Sequence, residues 1–349
     1  MRLQITGRKI ERLRRAVQFS VLLLCLYSGY RLYLFVGHFL YGWPAVQRPP
    51  MVDGFLPIGG MMGLKLWLTS GVFDGAHPAA IVVLAAAMLV SVLLKKSFCG
   101  WLCPVGTISE TLWRAGERLF GRNFRMHRYV DYPLRAVKYA LLAFFLLMIF
   151  VMSPGVLARF LGGPDWAVSD AKMLWFFEYM SATAGVVIAG LFAGSLFYRN
   201  FWCRYFCPYG ALLGLLSFLS PVKITRRDSA CAHCGACRKA CPAGLPIDEN
   251  IRTGSPECIG CLSCVARCPE PGALGMGLMK MPASFFSSGD GGSLPPESRR
   301  AVAPLLFAVL VLAVFFGVIA AAKASGHWVS VVPDAVYQKF IPFARGFYR

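Results

Sequence analysis

The sequence predicts an α-helical polytopic membrane protein of about five transmembrane helices, arranged as a tandem repeat of two hairpins, with a small cysteine-rich α+β domain inserted before the last helix. Three observations carry that prediction. The chain of 349 residues is 57% hydrophobic and only 15% charged, with a mean hydropathy of +0.57, too apolar for one soluble domain. Its net charge of +19 comes from Lys and Arg that alternate with the apolar runs, as expected of residues kept on the cytoplasmic side. Of its 13 cysteines, the densest group falls between Cys231 and Cys268. The same charge distribution argues against nucleic acid as a partner, because the basic residues form no single patch; their excess reports topology first and attraction to membrane lipid headgroups second.

A basic start (Arg2, Arg8, Lys9, Arg12, Arg14, Arg15) precedes an apolar run from Ala16. The run outlasts the ~15 residues of a signal-peptide core and no small-residue cleavage site follows, so it is expected to be an uncleaved first span. Arg31 and His38 lie near its far end, where an Arg can snorkel to the interface or face a redox site. Residues 41–77 form a Pro, Gly and Met-rich connection suited to the outer side, with Met51, Met61 and Met62 read as packing rather than as soft copper ligands. The second span, Pro78–Leu94, meets Lys95 and Lys96. Within the basic stretch 95–135, Ile108, Leu112, Trp113, Leu119 and Phe120 recur at helical spacing opposite Glu110, Arg114, Glu117 and Arg118, which predicts a helix lying along the inner surface. The third and fourth spans are expected at Tyr139–Leu157 and Tyr179–Tyr198, the latter returning to Arg199 and Arg204.

These elements divide the chain into a transmembrane domain (1–222), the cysteine-rich domain (223–281), a Ser, Gly and Pro-rich linker (282–300) and a last helix with a short tail (301–349), the fifth span being Ala301–Ala322. An odd number of spans places the N-terminus and the cysteine-rich domain on the inner, cytoplasmic side and the C-terminal tail outside.

The cysteine-rich domain reads CAHCGACRKACP, then CIGCLSCVARCP. Steps of two intervening residues let three thiolates face one iron–sulfur cube, and a fourth Cys follows three residues later with Pro behind it. Two such runs predict two [4Fe-4S] clusters of the bacterial ferredoxin type. Because the fourth Cys of each run normally serves the other cluster, the expected ligands are Cys231, Cys234, Cys237 and Cys268 for one and Cys258, Cys261, Cys264 and Cys241 for the other. Structural zinc is the competing reading, but zinc sites are usually built from two separated pairs rather than three consecutive steps ending in Cys-Pro. A disulfide framework does not suit a reducing compartment.

Two spans end alike. FCGWLCPVG follows the second (Cys99, Cys103) and WCRYFCPYG follows the fourth (Cys203, Cys207). The repeated order of span, span, CxxxCPxG and surface segment is the basis of the tandem repeat. Pro104 and Pro208 are expected to open helices whose N-termini face Cys103 and Cys207, a setting that lowers a thiol pKa. Four cysteines brought to one depth fit two readings, the ligands of a further iron–sulfur cluster or a pair of redox disulfides. The bland alternative is four small buried residues, which is the reading kept for the lone Cys25.

The two CxxxCP motifs followed by two CxxCxxCxxxCP runs, over about residues 16–280, resemble the membrane polyferredoxin family that includes NapH, the C-terminal half of NosR, CcoG and YccM. The resemblance implies an inner-membrane electron-transfer protein that passes electrons between the quinone pool, or a cytoplasmic donor, and a redox partner such as a periplasmic reductase or a flavin or haem protein. Unlike NosR, no flavin-binding domain precedes these motifs here, and unlike CcoG the chain ends in a short tail. Oxidising quinol needs proton acceptors near a lipid-accessible pocket. Glu110, His127 and Asp131 are the titratable groups nearest the first CxxxCP segment, Glu110 being the candidate and Arg114 its obvious ion-pair partner. A copper reductase or assembly factor for a respiratory metalloenzyme, and a redox-sensing membrane regulator, are the two other functions the same features admit.

Overall fold

The computed structural model describes residues 2–124, 126–270, 272–278, 301–302 and 304–346, and it is mainly helical. The chain opens with α1 (Arg2–Tyr41), a single 40-residue helix. After a 3-10 turn at Pro50–Phe55 come α2 (Pro57–Ser70), α3 (Pro78–Leu94), the one-turn α4 (Ser97–Trp101) and α5 (Pro104–Phe120). Then follow α6 (Arg128–Val151), α7 (Pro154–Leu161), α8 (Pro164–Ala167), α9 (Ser169–Glu178), α10 (Ala182–Phe197), the one-turn α11 (Phe201–Tyr205) and α12 (Pro208–Leu216).

Among the described residues, Lys9–Tyr41, Tyr129–Val151 and Pro304–Ala324 are long and apolar enough to cross a membrane, and the pair α9 and α10, bent by 82°, makes a fourth if counted as one broken span. Large apolar side chains on these helices stay exposed, among them Leu23, Phe150, Val186 and Leu305. Such a surface is the one hydrocarbon would cover. The segment expected as the second span, α3, has the expected bounds but holds 17 residues, about 25 Å by the helical rise. Much of it is enclosed by protein: Ala79, Ala80, Ala86, Ala87 and Val90 are buried where it meets α2, α12 and the last apolar helix.

Other boundaries shift for local reasons. The third apolar helix ends at Val151, not Leu157, because Ser153 caps a new helix opened by Pro154, its hydroxyl accepting from the Val156 N–H at 3.4 Å. The fourth begins at Ala182, where Ser181 caps it in the same way. The connection at 41–77 holds α2, whose Gly60 meets the α3 backbone so closely that a Cβ would lie 2.8 Å from the Ala80 carbonyl oxygen.

At the N-terminal end of α3 the same connection contributes to a buried polar knot. Arg48 donates to Asp170 at 2.7 Å and pairs with Asp53. His77 Nδ1 lies 2.9 Å from Asp53, and its Nε2 lies 2.7 Å from the Trp166 carbonyl.

The cysteine-rich domain is built on an antiparallel sheet of order β2-β1-β3-β4: β1 (Val222–Arg226), α13 (Ala236–Ala240), β2 (Arg252–Thr253), α14 (Ser263–Arg267), β3 (Leu274–Leu278) and β4 (Ala301–Val302). Alternation in β1 puts Val222 and Ile224 inward, where Ile224 sits opposite Met276. These side chains and Leu245, Ile247 and Leu262 pack around the cysteine loops. Ala301 and Val302, assigned by sequence to the last span, belong instead to the sheet, and the span is α15 (Pro304–Ala324). The linker 282–300 lies outside the described residues. The supposed tail carries α16 (Asp334–Arg345), which packs Tyr337 and Ile341 against α1 and α9.

Candidate iron–sulfur sites

Both cysteine runs fold into the same loop. In the first, His233 and Gly235 adopt left-handed backbone (φ 49° and 67°); in the second, Gly260 and Leu262 do so at the matching positions (58° and 59°). Those paired reversals turn the loop between successive cysteines, and a non-glycine residue adopts them at a cost of about 1–2 kcal/mol. Each run then enters a one-turn helix that ends at Cys241 or Cys268, with φ of −73° and −70°, and Pro follows in both.

The geometry mixes the runs. Cys241 lines one cavity with Cys258, Cys261 and Cys264. Cys268 interacts electrostatically with Cys234 and Cys231, and Cys237 with Cys268. The two sets differ in exposure: in the first Cys234 is exposed, Cys231 and Cys268 are half-buried and Cys237 is buried, whereas in the second Cys241, Cys261 and Cys264 are buried and Cys258 is half-buried. Burial pushes the Cys241 thiol up to about 12. The donor chemistry fits [4Fe-4S] clusters: four thiolates per set, in loops closed by left-handed turns.

The CxxxCP cysteines converge as well. Cys99 rides on α4 and Cys203 on α11, while Cys103 and Cys207 are the N-cap residues of α5 and α12, each followed by its Pro. The same sequence of one-turn helix, cap and Pro-opened helix thus occurs twice. Cys207 Sγ accepts from the Gly210 N–H at 3.2 Å. The helix N-terminus does not, however, lower these thiols: burial outweighs it, pushing Cys99 up to about 11 and raising Cys103, Cys203 and Cys207 too. All four line one cavity of about 50 Å³, together with Lys96, Tyr209, Glu257 and Glu110.

The second run is pressed onto α4. A Cβ on Gly100 would lie 2.5 Å from the Ile259 carbonyl oxygen, and Trp101 Nε1 donates to the Gly260 carbonyl at 3.0 Å. Pro242, Ala243 and Ile259 line both this cavity and the one holding Cys241. The docking is held by basic residues: Lys95 donates to the Gly254 carbonyl (3.1 Å), Arg204 to Ala243 (3.0 Å) and Arg199 to Lys239 (2.9 Å), while Lys138 pairs with Glu257 at 2.5 Å.

Glu110 occupies a different setting from the one its helical position predicts. It faces inward and is buried, with Trp113 beside it on the buried side, while Leu119 and Phe120 are exposed. Arg14 of α1 grips it through two bonds of 2.8 and 2.6 Å, Gln18 donates at 3.1 Å and Arg114 at 2.7 Å. Burial alone would raise this carboxyl, but the charge of Arg14 leads the effects that hold it at about 2. A group so acidic is a poor proton acceptor, so the geometry makes Glu110 a tie between α1 and α5. Asp131 belongs near the second CxxxCP segment rather than the first, accepting from Arg204 and from the Tyr205 hydroxyl (2.6 Å). His127 is exposed and stacks on Tyr129.

Sequence reading missed Arg14, Gln18, Lys96, Lys138 and Glu257 as parts of this region. In the sequence Arg14 and the Lys95-Lys96 pair read only as topology signals.

Comparison with known proteins finds iron–sulfur families on the segments that hold these cysteines. The family described as "4Fe-4S binding domain" matches residues 76–126 and 181–227, the two segments that hold the CxxxCP motifs, and "4Fe-4S dicluster domain" matches 223–269. YccM of Escherichia coli (strain K12), named as an electron transport protein, is 39% identical over 333 residues, 95% of this chain and 90% of its own length. The ferredoxin-type protein NapH of Haemophilus influenzae is 27% identical over 55% of this chain and 67% of its own. The regulatory protein NosR of Pseudomonas aeruginosa is 30% identical over 48% of this chain and 23% of its own. No solved structure matches the chain. With an identity of 39% running nearly end to end, the chain belongs to the membrane polyferredoxins of the YccM, NapH and NosR type, iron–sulfur proteins of electron transport.

Proposed function

We propose that the chain carries electrons from quinol at the bacterial cytoplasmic membrane, through two [4Fe-4S] clusters, to a redox partner protein. The observation that carries the reading is the crossing of the cysteine sets, with Cys241 lining the cavity of Cys258, Cys261 and Cys264. Bound there, the clusters would supply one-electron transfer. The residues grade access: the set containing Cys234 is open to a soluble partner, and the set containing Cys241 is enclosed and docked on α4.

Five spans, with the N-terminus and cysteine-rich domain cytoplasmic and the C-terminus periplasmic, accord with Lys95, Arg199 and Arg204 all reaching that domain. The quinol reading is supported by α5, which leaves Val105, Ile108, Leu119 and Phe120 exposed on the helix that also lines the four-cysteine cavity. Relatives such as NapH and NosR favour a partner in a respiratory system.

Anaerobic mixing of the purified protein with a reduced quinol tests the direction. Bleaching of the iron–sulfur absorbance is the expected result. Bleaching by a cytoplasmic flavoprotein reductant but not by quinol reverses the direction of flow.

A further inference from the structure

We infer that Cys99, Cys103, Cys203 and Cys207 hold one further iron–sulfur cluster, with Lys96 as its buried counter-charge, between the membrane helices and the enclosed ferredoxin site. The inference rests on the iron–sulfur reading above and extends it to a third site.

The two CxxxCP motifs deliver their thiols in matched pairs to one cavity, which supplies the four cysteine ligands that an iron–sulfur cluster takes. Among the described residues no group of three or more His, Cys, Asp or Glu side chains is placed to hold a single metal ion.

Lys96 separates a cluster from a pair of disulfides. Disulfides are neutral and give a buried cation nothing to pair with. A thiolate-bound cluster carries net negative charge and needs one. Lys96 is 3% exposed, lines the cavity, and has Cys99, Glu257, Cys207 and Cys203 as its counter-charges. Lys96 and Lys138, the latter 2.5 Å from Glu257, share that one carboxylate, which leaves one cation in excess for the thiolates to offset. Gly210 keeps the approach open, since its Cβ position lies only 3.4 Å from both Lys96 Nζ and Cys207 Sγ. Pro242, Ala243 and Ile259 are common to the walls of this cavity and the next, so one layer of side chains separates the two sites.

The test uses the full chain, purified anaerobically, with iron and acid-labile sulfide analysis and EPR-monitored redox titration. The variants are Cys103→Ser/Cys207→Ser, Lys96→Met and Cys241→Ser. Wild type should hold more than the about eight irons of two [4Fe-4S] clusters, and the double variant should lose about four, or about two for a binuclear cluster, with the two ferredoxin signals intact. Lys96→Met, which keeps every ligand, should shift the midpoint of the third signal to a more negative potential and leave the others in place. About eight irons in wild type with no change in the double variant, or thiol titration that finds the four cysteines oxidised as disulfides, overturns the inference. Should the double variant lose all signals through misfolding, Lys96→Met decides alone: absence of a third, shifted midpoint overturns it. Failure of the underlying two-cluster reading looks different, as iron content that Cys241→Ser does not alter.

Discussion

Replacing Glu110 by Gln separates a positioning carboxylate from a catalytic one. Arg14 is 1% exposed and the Glu110 side chain 10%, so the substitution leaves a guanidinium charged and poorly paired inside the protein, a loss of about 3–5 kcal/mol. The depressed carboxyl leads to a similar figure. Holding a carboxyl at about 2 instead of 4.5 favours its ionised form by about 3 kcal/mol. The assay is thermal loss of iron–sulfur absorbance in detergent for Glu110→Gln, Arg14→Met and the double variant Arg14→Met/Glu110→Leu. The double variant, which replaces both partners by apolar side chains, should recover much of the loss, and the cycle should return a coupling of about 2 kcal/mol or more. Because the folded carboxyl is depressed, its stabilisation is fully present above pH 4.5 and is lost as pH falls through about 2. Wild type and Glu110→Gln should therefore converge in acid. Unchanged melting of Glu110→Gln, with reduction by quinol abolished, would refute the tie and restore Glu110 as a proton acceptor.

Cys241→Ser should damage the cluster held by Cys258, Cys261 and Cys264 and spare the one held by Cys231, Cys234 and Cys237, read by EPR; damage confined to the first run would sink the crossed assignment. At the other end of α3, burial opposes charge on His77, but the hydrogen bond and charge of Asp53 outweigh it and hold its pKa above 6.5. That stabilisation is fully present below pH 6.5 and lost as pH rises through the raised value, so the melting temperature should fall across the neutral range in wild type and stay flat in His77→Asn. Reporter fusions after Lys280 and at Arg349 should report opposite sides of the membrane; the same side for both would leave an even number of crossings after the domain.

The cysteine spacing was legible because it is chemistry written in consecutive residues. The runs at Cys231 and Cys258, the repeated CxxxCP motif and the helix-opening Pro104 and Pro208 need no tertiary information, and the family followed from their combination. Span boundaries were less legible, since hydropathy does not distinguish a helix that faces lipid from one that faces protein. The 17 residues of α3 score as a span while packing much of their surface inside the bundle. Glu110 was misread for a related reason. Helical periodicity opposed it to Trp113 and so placed it in solvent, and nothing local announces that Arg14, 96 residues away, arrives to pay for its burial. His77, Asp53 and Asp170 come from three separate segments and were invisible for the same cause.

The basic residues deserve a different account from the one composition supports. Read as sequence, the +19 charge is a topology signal. In the fold, Lys95, Arg199 and Arg204 each end on a backbone carbonyl of the cysteine-rich domain, at 3.1, 2.9 and 3.0 Å, while Lys138 meets Glu257. Carbonyls taken up this way orient positive charge toward a region that holds twelve cysteines from Cys99 to Cys268. Thiolate-bound clusters add net negative charge, and the charge around a cluster is one of the quantities that sets its potential. The residues that keep a loop on the basic side of a membrane are thus also the ones able to make thiolate sites tolerable beside it. A chain that removed them to neutralise its charge would lose the docking of the cysteine-rich domain together with the electrostatic setting of its clusters.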